Sequence, residues 1–253
     1  MTPVKGPPAV LVEACVDSVE SALAAEAGGA GRIELCDNLV EGGTTPSAAT
    51  IAVACERLRI PVFVIVRPRG GDFLYSDLEL EIMRRDIAHA KSLGASGVVI
   101  GVLRADGTID GARVRELIEE ARPLQVTHHR AFDVTPDPVA ALEAIIEAGA
   151  DRVLTSGQAP DALAGAAVIA AAVRQAAGRI GILPGAGIDG GNARRIIEAT
   201  GATEIHVRGT SVRPSPMLYR NPRVDFGGRL TAADALLEVT DPALIREIVT
   251  AVG

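Results

Sequence analysis

The chain has 253 residues, of which 48% are hydrophobic and 2% aromatic, and it contains no tryptophan. This length suits one α/β domain, and its core must be built from aliphatic side chains. The formal net charge is −7. An acidic chain without a long basic run argues against nucleic acid and membrane surfaces as partners.

The sequence also argues against export and membrane insertion. Its start has no hydrophobic leader pattern, and the longest apolar stretch, residues 162–173, is shorter than the roughly 20 residues that span a bilayer. The three cysteines are widely spaced and odd in number, which is typical of free thiols in a reducing compartment. We therefore expect a cytoplasmic protein.

Eight β-strands are predicted in chain order. The first is in "AVLVEAC", and the second begins near Arg32, after the small-residue turn of "EAGGAGRIELC". The third is in "IPVFVIVRP", the fourth begins near Gly97, and the fifth is in "PLQVTHH". The sixth and eighth begin near Arg152 and Glu204, with the seventh in "RIGILPG" between them. Four of these strands follow the same helix–turn joint, which predicts regular alternation of helices and strands.

Helices are predicted in the connections between the strands. A capping residue followed by proline at the first helical position is typical of a helix start. This pattern occurs at Thr45-Pro46, Thr135-Pro136 and Asp241-Pro242, and further capping residues are expected at Ser76, Asp110 and Asp189.

The alternation predicts one (β/α)8 TIM barrel over residues 1–253, with room for extra helices at its C-terminus. The alternative is an open, doubly wound sheet. A dinucleotide-binding sheet of that kind would have its glycine fingerprint after the first strand, whereas the candidate here, "GAGIDGG", comes late in the chain.

Side-chain alternation predicts which residues point into the barrel. In the fifth strand, Gln125, Thr127 and His129 share one face and Val126 and His128 share the other. Because the outer face must meet apolar helices, we expect His129 to face inward and His128 to face the helices.

The same alternation groups polar residues at the carboxyl ends of other strands, where barrels carry their active sites. The groups are Glu13 with Cys15, Glu34 with Cys36, Arg67 with Arg69, and Glu204 with His206 and Arg208. A shared functional site is the first interpretation. The alternative is a buried Glu–Arg network that only orders the loops.

Several of these residue types are suited to catalysis on an anion. Glu13 and Glu34, on adjacent strands, could form an acid/base pair, and His129 could relay protons. Arg67 and Arg130 could hold an anionic substrate. Asp133 could orient the histidine, or it could form a local salt bridge with Arg130.

The loops after the seventh and eighth strands are candidates for phosphate binding. They contain "LPGAGIDGGN" and "HVRGTS", and this end of a barrel often binds phosphate. The candidate contacts are Gly185, Gly187, Gly209 and Thr210. Tight turns without a ligand are the alternative.

Two cysteines are candidate metal ligands. Cys15 and Cys36 take equivalent positions on adjacent strands, and two thiolates suit a soft ion such as Cu(I). Without a CxxC spacing, buried cysteines acting as small apolar residues remain the alternative. Cys55 lies among apolar helix residues and is assigned to packing.

These motifs together resemble the CutC family of copper homeostasis proteins. The matching stretches include "GGAGRIELCDNLVEGGTTPS", "RPRGGDF", "THHRAFDVTPDP", "GADRVLTSGQ", "LPGAGI", "EIHVRGTS" and "SPMLYRN", and they span residues 10–222. The resemblance implies a cytoplasmic (β/α)8 barrel, a homo-oligomer (dimer or tetramer) and copper handling.

The resemblance also implies a set of pocket residues. Carried onto this chain they are Glu13, Cys15, Glu34, Cys36, Arg67, Arg69, His129, Arg130, Asp133, Thr155, Ser156, Gly157, Gln158 and His206. The chain departs from the family pattern at Arg208, where many relatives have a small residue, and at His128, where relatives often have an apolar one.

Two functions follow as hypotheses. One is a copper-handling protein in which Cys15 and Cys36 capture Cu(I), with support from His206. The other is an enzyme that acts on a small anionic or phosphorylated metabolite, with a glutamate or His129 as acid/base and Arg67 in the anion site. No organic cofactor is indicated.

Overall fold

A computed structural model describes residues 10–219, 221, 223 and 236–253. The barrel strands are β1 (Leu11–Val16), β2 (Arg32–Leu35), β3 (Val62–Ile65), β4 (Gly97–Ile100), β5 (Gln125–His128), β6 (Arg152–Thr155), β7 (Gly181–Pro184) and β8 (Glu204–Val207). The helices are α1 (Val19–Gly28), α2 (Ala48–Arg57), α3 (Asp77–Ser92), α4 (Gly111–Ala121), α5 (Pro138–Ala148), α6 (Ala166–Ala176), α7 (Ala193–Thr200) and α8 (Pro242–Val252). Short 3-10 helices follow β2 (Leu39–Glu41) and β5 (Arg130–Val134).

The eight strands form one parallel, nearly closed barrel. Each strand from β1 to β6 pairs with the next, and β8 pairs with β1. A parallel bridge between Gly185 and His206 joins β7 to β8. The predicted TIM barrel is therefore confirmed, and the open-sheet alternative is wrong.

The predicted inward and outward faces are also present. Outward aliphatic residues such as Val12, Ile33 and Val64 pack in the large core between the strands and the helices. The barrel interior holds a separate, smaller apolar cluster that includes Cys15 and Phe63. The alternation of these two sets along each strand follows from the two-residue period of β-structure.

A buried ionic layer fills the barrel below the site. Arg32 contacts the carboxylates of both Glu13 and Glu204, and Arg152 also reaches Glu204, at 3.0 Å. The two guanidinium carbons lie 5.1 and 5.3 Å from the centre of the Phe63 ring. The alternative of a Glu–Arg network thus holds for this lower layer.

Two of the predicted helix starts are wrong by two residues each. Helix α2 is capped by Ser47 and α5 by Asp137, because Thr45 and Thr135 are engaged elsewhere. The Thr45 hydroxyl accepts a hydrogen bond from the Arg67 N–H, and the Thr135 hydroxyl donates to the Phe132 carbonyl. The predicted caps at Ser76, Asp110 and Asp241 are confirmed, whereas Asp189 accepts from N–H groups in the turn before α7.

An antiparallel hairpin separates β8 from the last helix. It consists of β9 (Thr210–Pro214) and β10 (Leu236–Thr240) and was not predicted. Helix α8 packs against α1 and α7, so it completes the eightfold repeat. Residues 1–9, 220, 222 and 224–235, which belong to the predicted domain, lie outside the described residues. No helix in the described part of the chain has the length and hydrophobicity to cross a membrane.

The loop after β6 has room only for glycine at position 165. A Cβ on Gly165 would lie 1.9 Å from the backbone oxygen of Ser156, whereas one on Gly111 would meet nothing within 4 Å. We expect Gly165→Ala to lower the free energy of unfolding by about 1–3 kcal/mol or more through overpacking. Gly111→Ala, the control, should be neutral or slightly stabilising. Urea unfolding measures both, and equal effects would contradict the backbone clash.

Candidate functional site

A cavity of about 560 Å³ opens at the carboxyl ends of the barrel strands. Its polar lining consists of Cys15, Glu34, Glu41, Arg67, His129, Arg130, Asp133, His206 and Arg208. Its apolar lining includes Leu39, Ile65, Phe73, Val134, Leu154 and Ile188. This is the end of a barrel where functional sites are found.

Two thiols meet at the base of the cavity, where Cys15 belongs to the lining and Cys36 lies behind it. The Sγ atoms of Cys15 and Cys36 lie 3.7 Å apart, and both residues are buried. Glu34 lies directly opposite Cys15 in the β1–β2 register. One carboxylate oxygen of Glu34 and the two sulfurs all lie within 4.8 Å of one another, so the three residues form a cluster that could hold a metal ion.

His206 lies beside this cluster and is held by Glu13. Its Nδ1–H donates to Glu13 over 2.7 Å, and its Nε2 lies 3.6 Å from a Glu34 oxygen. Burial alone would raise the pKa of Glu13, but the bond from His206 and the charge of Arg32 lower it to about 2. Glu13 is therefore an ionised anchor under His206, and it does not line the cavity itself.

Opposite charges share this buried space. Burial would lower the pKa of His206, but its contacts with Cys15 and Glu13 raise that pKa well above the usual value. The hydrogen bond from Cys36 lowers the pKa of the Cys15 thiol, and raises that of Cys36. Burial and the neighbouring Cys15 raise the pKa of Glu34. The arrangement favours one thiolate next to one imidazolium.

The two adjacent histidines have different surroundings. His129 lines the cavity, and its Nδ1 accepts a hydrogen bond from the Ala131 N–H, so its proton lies on Nε2. Its ring rests over Gly101, where a Cβ would approach to 2.3 Å. His128 is fully buried and does not line the cavity, and burial lowers its pKa to about 4. Burial also lowers the pKa of His129, so both rings are neutral.

Arg67 ties two loops together at the cavity wall. Its guanidinium donates to the carbonyl oxygens of Glu41, Gly43 and Gly71 at 2.7–2.8 Å. A guanidinium engaged in this way orders the loops, which is a different role from the predicted anion clamp.

Arg69 does not reach the cavity, contrary to expectation. Its Nε donates to Glu79 over 2.5 Å, and its Nη2 lies 3.1 Å from Asp72. The guanidinium also stacks over the Tyr75 ring. These partners draw the side chain away from the barrel axis to the start of α3.

Asp133 organises the loop after β6. It accepts hydrogen bonds from the Thr155 hydroxyl and from the N–H groups of Ser156 and Gln158. It also pairs with Arg130 over 2.7 Å, which confirms the local salt bridge. The cavity lining includes none of Thr155, Ser156, Gly157 and Gln158, and their hydrogen bonds shape this loop, so their contact with a ligand stays a prediction.

Among the four candidate phosphate contacts, the cavity lining includes only Gly187. Gly185 lies against Leu154, and Gly209 packs against Ile245 of α8. Thr210 donates to Glu238 across the hairpin. These three positions do not line the cavity, and a phosphate contact at them stays a prediction.

Arg208 lies at the cavity rim. Its Nη2 is 3.2 Å from Glu238 of β10, and its side chain is 45% exposed.

Cys55 is half-buried and packs against the main core, as expected.

Sequence reasoning missed most of the apolar wall. Leu154 follows from strand alternation, since it is two residues beyond Arg152 on β6. Leu39 begins the short 3-10 helix after β2, and Phe73 and Ile188 lie on loops, so no strand or helix periodicity predicts the directions of these side chains. Phe73, the aromatic residue in "RPRGGDF", was the one sequence signal for this apolar wall.

We expect the contribution of Glu13 to the stability of the fold to depend on pH. Glu13→Gln leaves Arg32 and His206 without their buried carboxylate, and we expect a loss of about 3–5 kcal/mol of stability at neutral pH. Because folding lowers the pKa of Glu13 from 4.5 to about 2, its contribution is present above pH 4.5 and is lost as the pH falls towards 2. The difference between wild type and variant should therefore shrink in this range.

Urea unfolding at several pH values measures this difference. Glu116→Gln, which removes an exposed ion pair with Arg84, serves as control and should change little at any pH. A difference for Glu13→Gln that stays constant from neutral to acidic pH would show that the carboxylate is not the anchor.

Comparisons with known proteins assign the chain to a family. The model of the CutC family matches residues 10–211. The chain is 52% identical to the mouse copper homeostasis protein cutC homolog and 51% identical to the human one, over 238 residues each, covering 94% of this chain and 88% and 87% of theirs.

Solved structures give the same assignment. A CutC protein from Streptococcus agalactiae superposes with a TM-score of 0.75 at 35% identity, covering 78% of this chain and 98% of its own. N-(5'-phosphoribosyl)anthranilate isomerase from Pyrococcus furiosus shares the fold alone, with a TM-score of 0.58 at 14% identity, covering 96% of this chain and 98% of its own. The chain belongs to the CutC family.

Proposed function

We propose that this protein binds Cu(I) in the cytoplasm as part of copper homeostasis. The observation that carries the proposal is the pair of thiols 3.7 Å apart, of which Cys15 lines the cavity and Cys36 lies behind it. Soft thiolate ligands select Cu(I) over harder ions. Two sulfurs this close can share one ion.

The donor set fits the metal. Cys15 and Cys36 are both free, and Glu34 and His206 offer further donor atoms beside them. Among the described residues, this is the one cluster of three or more His, Cys, Asp or Glu side chains that could hold an ion. Cys15 and Glu34 lie on barrel strands, which hold a site more rigidly than loops do.

The relatives support the same proposal. The mouse and human proteins carry copper homeostasis in their names. A reducing cytoplasm would keep the two thiols available for metal. The expected homo-oligomer, a dimer or tetramer, stays a prediction that analytical ultracentrifugation can test.

We expect one Cu(I) per chain in an anaerobic competition titration against a chromogenic Cu(I) chelator. Cys15→Ser and Cys36→Ser should each weaken Cu(I) binding by at least about 100-fold, because a hydroxyl is a poor ligand for this soft ion. Cys55→Ser is the matched control, since this residue is remote from the cluster and packs on a helix.

Two results would contradict the copper proposal. One is binding too weak to compete with the chelator. The other is tight binding that survives both cavity substitutions, since this would locate the copper elsewhere. Circular dichroism of each variant separates loss of metal from loss of fold.

A second candidate function is acid/base catalysis on a small anionic metabolite. The observation that favours it is His206, held by Glu13 and 3.6 Å from Glu34, at the base of a cavity that can hold an organic molecule. A charged imidazole can donate a proton, and the carboxylate form of Glu34, whose pKa is raised by burial, can accept one. Arg130 and Arg208 at the rim would face the anionic group.

Deuterium exchange tests this candidate. In D2O, we expect proton NMR to show exchange of the C–H next to a carbonyl in at least one compound of a panel of small keto and phosphorylated acids. Glu34→Gln should lower the exchange rate at least about 100-fold, whereas Glu79→Gln, outside the cavity, should not. No exchange across the panel would count against an enzyme of this type.

A further inference from the structure

We propose that copper reaches the two thiols as a complex with a small anionic thiol compound, which binds in the cavity before the ion is transferred. This inference rests on the proposed copper function and names the form in which the site receives its ion. Three features of the cavity carry it: its size, the depth of the thiols and the composition of its wall.

The cavity is much larger than a metal ion needs. Its volume of about 560 Å³ lies within the range of roughly 300–1,000 Å³ that is typical of small-molecule sites. A single water molecule takes up about 30 Å³ in the liquid. A site for the ion alone would be filled by the thiols and their neighbours.

The thiols offer almost no surface to a folded donor protein. Cys15 is 6% exposed and Cys36 is 1% exposed. The residues above them, including Leu39, Phe73 and Ile188, form the wall of the cavity. Transfer between sulfurs requires donor and acceptor sulfurs to approach one ion together, so the donor must enter the cavity.

The wall suits a small organic anion. Its sides are apolar, and two half-exposed guanidinium groups, Arg130 and Arg208, lie among its lining residues. Arg130 uses its Nε and one terminal nitrogen for Asp133 and Ser156, and Arg208 uses Nη2 for Glu238. Each guanidinium has five N–H donors, so both retain donors for a carboxylate of the incoming compound.

The transfer is a ligand exchange without oxidation. The sulfur of Cys15 binds the ion as one bond from copper to the carrier sulfur breaks, and Cys36 then displaces the second carrier sulfur. Cys15 is already a thiolate, so one released carrier thiolate takes up the proton that the Cys36 thiol loses, and the other takes up a proton from water. Copper remains Cu(I) throughout, so no oxidant or reductant is needed.

Stopped-flow transfer from the Cu(I)–glutathione complex tests the proposal, because glutathione is a small thiol with two carboxylates. The copper–thiolate absorbance of the whole protein is followed at increasing concentrations of the complex. We expect the transfer rate to saturate, since the complex binds before the ion moves.

Two exposed valines provide a matched pair of variants. Val134 lines the cavity and is 61% exposed, whereas Val139 is 59% exposed on α5 and does not line it. We expect Val134→Trp to slow the transfer at least tenfold while Cu(I) affinity at equilibrium stays unchanged. Val139→Trp should behave as wild type in both measurements.

The anionic character of the carrier is tested at the rim. We expect Arg208→Gln to raise the concentration of Cu(I)–glutathione that gives half-maximal rate several-fold. The same variant should not change the corresponding value for the Cu(I) complex of dithiothreitol, which has no carboxylate.

The proposal is overturned if the rate rises linearly with the complex, if Val134→Trp transfers as fast as wild type, or if glutathione tethered to a large polymer delivers copper equally well. An equal shift for both carriers in Arg208→Gln would overturn its anionic part. A failure of the copper function itself is recognised separately, because the chelator competition would then show no bound Cu(I) in any variant.

Discussion

Closure of the barrel is the constraint on which the site depends. Glu13 and His206 are 193 residues apart in the chain, and they become direct neighbours because β8 pairs with β1. The pairing places the imidazole beside the carboxylate that holds it, and on the same wall as Cys15. An open sheet with these strands at its two edges would separate the anchor from the residue that it orients.

Below the site, the barrel interior is filled by charges of alternating sign. Arg152, Glu204, Arg32 and Glu13 contact one another in sequence, and the last of them reaches His206. Burial of these groups is costly unless each is paired, and each has a partner of opposite charge here. Through these contacts the lower layer holds the imidazole of His206 in place. The site therefore depends on a network and not on a single ion pair.

Much of this architecture could be predicted from the residue pattern, because strand alternation has a strict period of two. That rule correctly placed Cys15, Glu34, His129 and His206 in one cavity and His128 outside it. It failed at Arg69, which lies beyond the end of β3, where the chain no longer alternates and a nearby carboxylate decides the direction of the side chain.

The roles of loop residues were the second feature that the sequence did not predict. The resemblance grouped Thr155, Ser156, Gly157 and Gln158 with the pocket, but a short motif does not show whether a residue touches a ligand or supports the loop that does. In the structure these residues bond to Asp133 and to one another, which supports the loop. The hairpin after β8 was missed because it pairs two segments with 21 residues between them.

The β1–β2 register has a consequence for the chemical stability of the dithiol. Cys15 is opposite Glu34, so Cys36 lies two residues further along the neighbouring strand. With strands about 4.8 Å apart and about 3.3 Å between residues, the two Cα atoms are separated by about 8 Å. A disulfide needs roughly 4.4–6.8 Å between its Cα atoms. The barrel thus lets the sulfurs approach each other while its backbone opposes a covalent bond between them, which protects the pair against oxidation to a disulfide.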